Sequence, residues 1–315
     1  MTVGVLGATG LVGRHVVEAL SAGGTPRIVA THHVRAAYEA ANTVWVKVDL
    51  GDPEQASRAL QGVDTAIVCA GQLSTTAVLS RDPTGSVLST LRILTNVLQA
   101  AARQRLRRVV LLSSCTGYPA LSRPAVEADM EQGVPPDQWF GVGAMHRYVE
   151  QQVRWYVERL GLIGSAAILR PTLVYGPYDD FASETGHFVP AMIRRVVERV
   201  RPIEIWGDGT QARNLLHAGD LAAAVVAVLK ERSTRFEVFN VASPRDATVN
   251  EVVSELVALD GFADAVVTRD PARGGGPAAL RVSAAALIAS TGWQAGFDLR
   301  AGLENVLLWY RRMRA

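Results

Sequence analysis

Short apolar runs and helix-periodic segments alternate along the first 170 residues of this chain. Val3–Leu6 is apolar throughout, and after a glycine-rich stretch the apolar residues of Val12–Leu20 recur with the spacing of one helix face. Strands that alternate with helices in this way predict an α/β fold with a doubly wound parallel sheet. The further predicted strands are Arg27–Thr31, Val44–Val48, Thr65–Cys69, Val109–Ser113 and Ser165–Leu169, and the helices are Pro53–Leu60, Ser86–Gln104 and Phe140–Leu160.

The pattern changes after Arg170, where turn-forming residues become frequent and the periodic segments shorten. We expect residues 1–170, with about 207–245, to form the core that contains the sheet. Residues from about 171–206, with 246–315, are expected to form a smaller C-terminal lobe that binds substrate. The elements predicted beyond Arg170 are helices at Val189–Val200 and Asp220–Leu229 and strands at Ile203–Trp206 and Glu237–Val241.

The charge balance disfavours two classes of partner. The net charge of +2 at pH 7 gives no reason to expect nucleic acid or a membrane surface. No stretch reaches the roughly 18 apolar residues of a membrane span, and no signal peptide precedes the first strand, so a cytoplasmic location is expected. Cys69 and Cys115 are too far apart to indicate a metal-type pair or a disulfide framework. Lys47 and Lys230 are the only lysines.

Three glycines between the first strand and the first helix form a G-x-x-G-x-x-G pattern. Glycines at such a turn let backbone N–H groups approach a pyrophosphate at the helix N-terminus, so a Rossmann-type dinucleotide site is predicted here; the alternative is a structural turn. The second strand lacks an acidic residue at its end, and Arg35 there favours NADP over NAD. Asp49, after the third strand, is expected to contact the edge of the adenine ring; the alternative is an acidic residue of a surface turn. The residues expected at the dinucleotide are Gly7, Thr9, Gly10, Leu11, Gly13, Arg35, Asp49, Leu50 and Ala70.

Several motifs together resemble those of the extended short-chain dehydrogenase/reductases, the NAD-dependent epimerase/dehydratase family. Besides the glycine turn, they are VDL at 48–50, RPTLVYGP at 170–177 and WGDGTQARNLLHAGDLA at 206–222. Within that group SSCTGYP at 113–119, GPYDDF at 176–181 and GHFVPA at 186–191 are similar to motifs of the GDP-fucose synthase family. The resemblance covers most of the chain to about residue 245, and it implies a nucleotide-sugar substrate and a homodimer.

The hydride-transfer residues of that family are changed in this chain. The family uses Tyr-x-x-x-Lys, in which the tyrosine delivers a proton and the lysine lowers its pKa. We place that pair at Phe140 and Ala144, neither of which ionises, and the preceding asparagine at Thr90. Tyr148 lies two turns along the helix, roughly 12 Å from Phe140, which is too far to substitute. Only Ser113 of the four family residues remains, so ordinary carbonyl reduction is not expected.

Two residues match those that carry epimerisation in the resembling family. Cys115 and His187 stand where one family residue removes a proton beside a keto group and the other returns one. A thiol and an imidazole suit proton transfer. The alternatives are a buried apolar cysteine and a structural or helix-capping histidine. His146 and His217 are expected to be structural or to lie at the surface.

Acidic and basic residues near His187 indicate two further kinds of contact. Asp179, Asp180 and Glu184 would hold a divalent metal against a diphosphate, or they belong to a solvated loop. Guanidinium groups suit phosphate oxygens, and Arg213 matches a family arginine that binds the nucleotide diphosphate. The residues expected to bind substrate are Arg195, Trp206, Arg213 and Tyr175, where Trp206 is either a base-stacking or a core residue.

These residues favour a redox-free isomerase of a nucleotide sugar such as GDP-fucose, with NADP or NAD bound but not consumed. It would interconvert pyranose and furanose rings, as a mutase, or epimerise beside a keto group. One alternative is an NADPH-dependent reductase or epimerase of a GDP-4-keto-6-deoxyhexose that uses a non-standard acid. The other is a non-catalytic scaffold that binds NADP.

Overall fold

The computed structural model describes residues 1–72, 75–181, 186–230, 234–273 and 280–314. The strands are β1 (Thr2–Leu6), β2 (Arg27–His32), β3 (Thr43–Lys47), β4 (Thr65–Val68), β5 (Arg108–Leu112), β6 (Ser165–Pro171), β7 (Leu173–Tyr175), β8 (Ile203–Trp206), β9 (Ala212–Arg213), β10 (Leu215–His217), β11 (Phe236–Val241), β12 (Ala247–Thr248) and β13 (Val267–Asp270). The helices are α1 (Leu11–Ala22), α2 (Pro53–Ala59), α3 (Thr76–Arg81), α4 (Gly85–Arg103), α5 (Phe140–Arg154), α6 (Phe188–Val197), α7 (Ala218–Lys230), α8 (Val249–Asp260), α9 (Ala285–Thr291) and α10 (Leu299–Arg314). A single π-helical turn, Trp155–Arg159, continues α5.

Seven parallel strands form the central sheet, in the order β11-β6-β5-β4-β1-β2-β3. β1 lies between β4 and β2, with Val5 opposite Ile67 on one side and Ala30 on the other. β1 therefore lies inside the sheet; β2 and β3 extend the sheet to one edge, and β4, β5, β6 and β11 extend it to the other, as in a doubly wound Rossmann-type fold. The predicted fold class is confirmed, and each predicted strand and helix agrees with an observed element to within a few residues.

Apolar clusters cover both faces of the sheet. One face packs against α2, α4 and α5, and the other against α1 and α7. A third cluster joins α6, α8 and α10 with β8 and forms the smaller C-terminal lobe. The exact division of the chain between core and lobe stays a prediction. Among the described residues, no helix is long and apolar enough to span a membrane.

Local sequence fixes several helix ends. The Asp52 side chain accepts hydrogen bonds from the backbone N–H groups of Glu54 and Gln55, each at 2.9 Å, and Pro53 opens α2. Thr248 and Glu251 form a capping box at the start of α8, and Gly261 ends that helix at φ +68°. These signals act within a few residues, which explains why the helix boundaries can be predicted.

Candidate active site

The glycine turn lies at the carboxyl end of β1, beside the end of β4. Gly7 has φ +82°, and a Cβ there would lie 2.8 Å from the Cα of Ala70. A Cβ on Gly13 would lie 2.1 Å from the carbonyl oxygen of Gly7. Only glycine fits both positions. Gly10 precedes the first residue of α1 and gives it no side-chain cap within the described structure, so the start of this helix suits a phosphate.

The other predicted dinucleotide residues occupy different positions around this turn. Arg35 lies beside it, since its Nη1 donates to the carbonyl oxygens of Thr9 and Tyr178, each at 3.4 Å. The Asp49 side chain accepts from the backbone N–H of Gly51 at 2.8 Å, which closes a local turn after β3. Leu50 is buried in the core cluster. The roles of Arg35, Asp49 and Leu50 toward a dinucleotide stay predictions.

Ser113, at the end of β5, belongs to a buried hydrogen-bond network. Its hydroxyl donates to Oε1 of Glu150 at 2.5 Å, and its Oγ lies 3.5 Å from Nδ1 of His146. Arg170 neutralises Glu150 through two side-chain nitrogens, with the shortest N–O distance 2.5 Å. Arg170 also donates to the hydroxyl of Tyr118 at 2.8 Å. The network therefore holds Ser113 through a buried ion pair.

The helix positions that face Ser113 are not those predicted for the redox pair. Successive α-helical residues are rotated by about 100°, so Ala144 points about 160° away from His146, and Phe140 about 120° away. Val142 lies only about 40° from His146 on the same face. Phe140 is also 51% exposed. The placement of the degenerate pair at Phe140 and Ala144 is therefore wrong, and Val142 and His146 occupy the face toward Ser113.

Two residues of α5 at this site, His146 and Glu150, are not expected there from the sequence. The sequence places His146 among the structural or surface histidines; in the structure it contacts Ser113, and burial lowers its pKa to about 4, so its ring is neutral at neutral pH. Glu150 is the only acidic residue of α5 and lies beside buried Val149. An acid next to the apolar face of a helix is a signal for a buried partner, here Arg170. Thr90 accepts from the backbone N–H of Gln72 at 2.9 Å and supports the segment after β4.

Cys115 is buried among apolar residues just after β5. Its neighbours in that cluster include Tyr118, Met130 and Val282. Burial raises the pKa of the thiol to about 12, so the thiol is protonated at neutral pH and is suited to donate a proton rather than to accept one.

His187 stands at the N-terminal end of α6 and is oriented by Asp179. Nδ1 of His187 lies 3.0 and 3.1 Å from the two carboxylate oxygens of Asp179. The Asp179 side chain is buried, whereas the His187 side chain is partly exposed. A carboxylate can only accept, so the Nδ1–H donates to it and Nε2 of a neutral ring keeps a free lone pair. The pair has the arrangement of an oriented general base.

The described residues do not form the expected metal cluster. No three His, Cys, Asp or Glu side chains within the described ranges are placed to hold a metal ion. Asp179 instead binds His187 and accepts from the backbone N–H of Asp180 at 2.8 Å. Glu184, the third predicted ligand, lies outside the described residues.

The predicted substrate-binding residues divide into one buried and three partly exposed side chains. Tyr175 is 2% exposed, and a Cβ on Gly302 would collide with its hydroxyl. It packs inside the C-terminal cluster, so its predicted contact with substrate is wrong. Trp206 is 52% exposed, with the Arg273 guanidinium carbon 5.4 Å from the ring centroid. Arg213 and Arg195 are partly buried, and burial lowers the pKa of Arg213.

Comparison with known proteins identifies the family. The model of the NAD dependent epimerase/dehydratase family matches residues 3–242. The chain belongs to this family. GDP-L-fucose synthase 1 of Arabidopsis thaliana is 30% identical to it over 230 residues, 70% of this chain and 68% of that protein. A dTDP-4-dehydro-6-deoxy-D-allose reductase of a Streptomyces species is 29% identical and aligns with 98% of this chain and 96% of its own length.

A solved structure of another protein has the same fold as the present chain. UDP-glucose 4-epimerase of Thermus thermophilus, in complex with NAD, superposes with a TM-score of 0.83 over 99% of both chains at 24% identity. The glycine turn of the present chain fits the dinucleotide that the family name implies, because backbone contacts allow only glycine at positions 7 and 13, and the start of α1 carries no side-chain cap from Gly10. Bound there, the dinucleotide would supply hydride chemistry.

Proposed function

We propose that the protein is a redox-free isomerase that epimerises a nucleotide-linked 6-deoxyhexose beside a keto group. The observation that carries this proposal is the His187–Asp179 pair, with Nδ1 bound to the carboxylate and Nε2 available as a base. The motifs around this pair and the named relatives support a nucleotide sugar as substrate. GDP is the nucleotide we favour, since the GDP-fucose synthase motifs are retained.

The proposed reaction moves protons at one carbon atom. Nε2 of His187 removes the proton from the carbon beside the carbonyl, and the C–H electron pair becomes an enolate. The Cys115 thiol, protonated because of its raised pKa, returns a proton to that carbon from the other side. The resulting imidazolium and thiolate exchange a proton through solvent, which restores both groups. We assign the base to His187 because Asp179 orients its ring, and the acid to Cys115 because its thiol is protonated.

The residues facing Ser113 support the redox-free form of the reaction. Reduction of the keto group needs an acid beside the carbonyl, the role of the tyrosine in the resembling family. Val142 has no ionisable group, and His146 is neutral at neutral pH. The mutase form of the hypothesis, which interconverts pyranose and furanose rings, stays a prediction.

Proton exchange with solvent tests this function directly. GDP- and dTDP-linked 4-keto-6-deoxyhexoses are incubated with the protein in D2O without added NADPH, and deuterium at the carbons beside the keto group is measured by NMR. We expect stereospecific incorporation by the wild type, a loss of about 10²–10⁴-fold in His187→Ala, and a smaller loss in Asp179→Asn. His33→Ala changes an exposed histidine after β2 and serves as the matched control. Unchanged exchange in His187→Ala would refute the proposed base.

A second candidate function is reduction of a 4-keto sugar with NADPH. It is favoured by the alignment with dTDP-4-dehydro-6-deoxy-D-allose reductase over nearly the full length of both chains. It requires His146 or another group to act as the acid. Stoichiometric consumption of NADPH with a 4-keto sugar would establish this function in place of the isomerase. Tight NADP binding without turnover of any nucleotide sugar would instead indicate a scaffold.

Homodimerisation and a cytoplasmic location belong to the proposal as well. The exposed side of α5 and its π-helical turn carries the aromatic side chains of Phe140, Tyr148 and Trp155, each more than half exposed. Large exposed aromatic residues on one helix are typical of a protein interface. Size-exclusion chromatography with light scattering tests the expected mass of two chains.

A further inference from the structure

Tyr178 adopts a backbone conformation that is unusual for a tyrosine. Its φ is +72°, in the left-handed region that residues with a Cβ seldom enter. It lies one residue before Asp179, the carboxylate that orients His187. Such a conformation persists where surrounding contacts impose it, and contacts from three parts of the chain surround Tyr178.

The first contacts come from the dinucleotide side of the molecule. The guanidinium carbon of Arg14, on α1, lies 3.7 Å from the centroid of the Tyr178 ring and 4.1 Å from that of Tyr38. The cation is thus stacked between two aromatic faces. Nη1 of Arg35 donates to both the Tyr178 carbonyl oxygen and the Thr9 carbonyl oxygen inside the glycine turn. Arg35 therefore links the turn directly to the backbone next to Asp179.

The other contacts come from the C-terminal helix and from α1. The ring of Trp309, on α10, meets the Tyr178 ring edge-on at a centroid distance of 5.2 Å. His15, on α1, lies against the same ring with centroids 5.4 Å apart. Burial, and then the Glu18 carboxylate, raise the pKa of the Tyr178 hydroxyl, so the ring stays neutral. Tyr178 is therefore held between the dinucleotide-binding core and the C-terminal lobe.

We propose that Tyr178 is a positioning residue, which couples occupancy of the dinucleotide turn to the orientation of the His187–Asp179 pair. Phosphate oxygens are stronger acceptors for a guanidinium than two carbonyl oxygens at 3.4 Å. A phosphorylated dinucleotide at the turn therefore draws Arg35 away from Tyr178. The Tyr178 carbonyl oxygen then loses its hydrogen bond from Arg35, which alters the contacts that hold the Tyr178 backbone. Because Asp179 is the next residue, its carboxylate shifts relative to Nδ1 of His187. This coupling rests on the proposed function only in treating His187 as the base.

The test follows the ring of His187 by NMR, in protein labelled with ¹⁵N-histidine, with NADP⁺ or NAD⁺ as the probe. In the wild type we expect NADP⁺ to shift the His187 ring signals, which report the tautomer set by Asp179, and NAD⁺ to shift them less. In Tyr178→Ala the NADP⁺-induced shift is expected to fall to less than half. Tyr178→Phe, which keeps the ring between Arg14 and Trp309, is expected to retain it. Val266→Ala removes an exposed apolar side chain before β13 and should behave as the wild type.

Two results would overturn the coupling. One is an equal NADP⁺-induced shift in the wild type and in folded Tyr178→Ala; the other is no effect of saturating NADP⁺ on the His187 signals of the wild type. Arg35→Met gives an independent check, since it removes the link without changing the left-handed residue, and it too should reduce the shift. No turnover is needed for these measurements. A coupling seen in a protein that fails the deuterium-exchange test would therefore separate this inference from the proposed function.

Discussion

Placing a tyrosine and a lysine on α5 tests which positions of that helix face Ser113. The double variant Val142→Tyr/His146→Lys puts the pair four residues apart on the side of the helix that meets Ser113. The variant Phe140→Tyr/Ala144→Lys puts the same pair at the positions expected from sequence alone. The two variants introduce the same two side chains and differ by two residues of register.

The structure sets the size of the expected difference. Position 146 already brings a side-chain atom to 3.5 Å from Ser113 Oγ, and position 142 is one turn, about 6 Å, along the same face. Position 144 is rotated about 160° from position 146, so a lysine there cannot approach a tyrosine beside Ser113. A positioned general acid contributes about 10²–10⁴-fold. We expect a gain of that order in keto-sugar reduction for the first variant and none for the second.

The assay measures NADPH oxidation with a nucleotide-linked 4-keto-6-deoxyhexose. Val142 is buried, and a larger ring at a packed position costs about 1–3 kcal/mol, so circular dichroism first establishes that each variant is folded. Val142→Phe/His146→Lys adds the same ring without the hydroxyl and should show no gain. A gain in Phe140→Tyr/Ala144→Lys, with none in the Val142 variant, would show that the assignment of the facing positions is mistaken.

Three further outcomes follow from buried groups. Arg170→Met removes the ion-pair partner of the buried Glu150 carboxylate. It should lower the free energy of unfolding by about 3–5 kcal/mol, and thermal melting should show a lower melting temperature. The double variant Arg170→Met/Glu150→Leu should recover part of that loss. Burial lowers the pKa of His217 to about 4, below the value of about 6.5 in an unfolded chain. Protonation therefore favours unfolding, so stability is full above about pH 6.5 and falls by up to about 3 kcal/mol as the pH drops toward 4; melting curves of His217→Gln should show a flatter dependence over that range. Burial raises the pKa of the Cys115 thiol from 9.0 to about 12. Alkylation of Cys115 in the folded protein at pH 7.5 should therefore be about a thousandfold slower than in the unfolded chain, and rapid labelling of folded Cys115 would contradict its burial.

The sequence by itself determined the elements of the fold and the glycine turn. Helix and strand periods, caps such as Asp52 and Thr248, and the glycines at 7 and 13 act over a few residues, so their physical effect can be predicted without knowing the neighbours. The order of elements then restricts the sheet to a doubly wound topology. The motif at His187 was also local, because Asp179 lies only eight residues away.

Only the tertiary structure decided which side chains share a site. The rotation of α5 about its own axis depends on its packing against α4 and against the turn that follows β5, and a shift of two residues turns a side chain to the other side of the helix. Glu150 and Arg170 are 20 residues apart and on different elements, so no local pattern pairs them. Tyr175 was removed from the substrate site by packing under α10, and Cys115 was made a weak acid by burial. Burial, helix rotation and long-range ion pairing arise when distant elements come together, and they determine which residues can do chemistry.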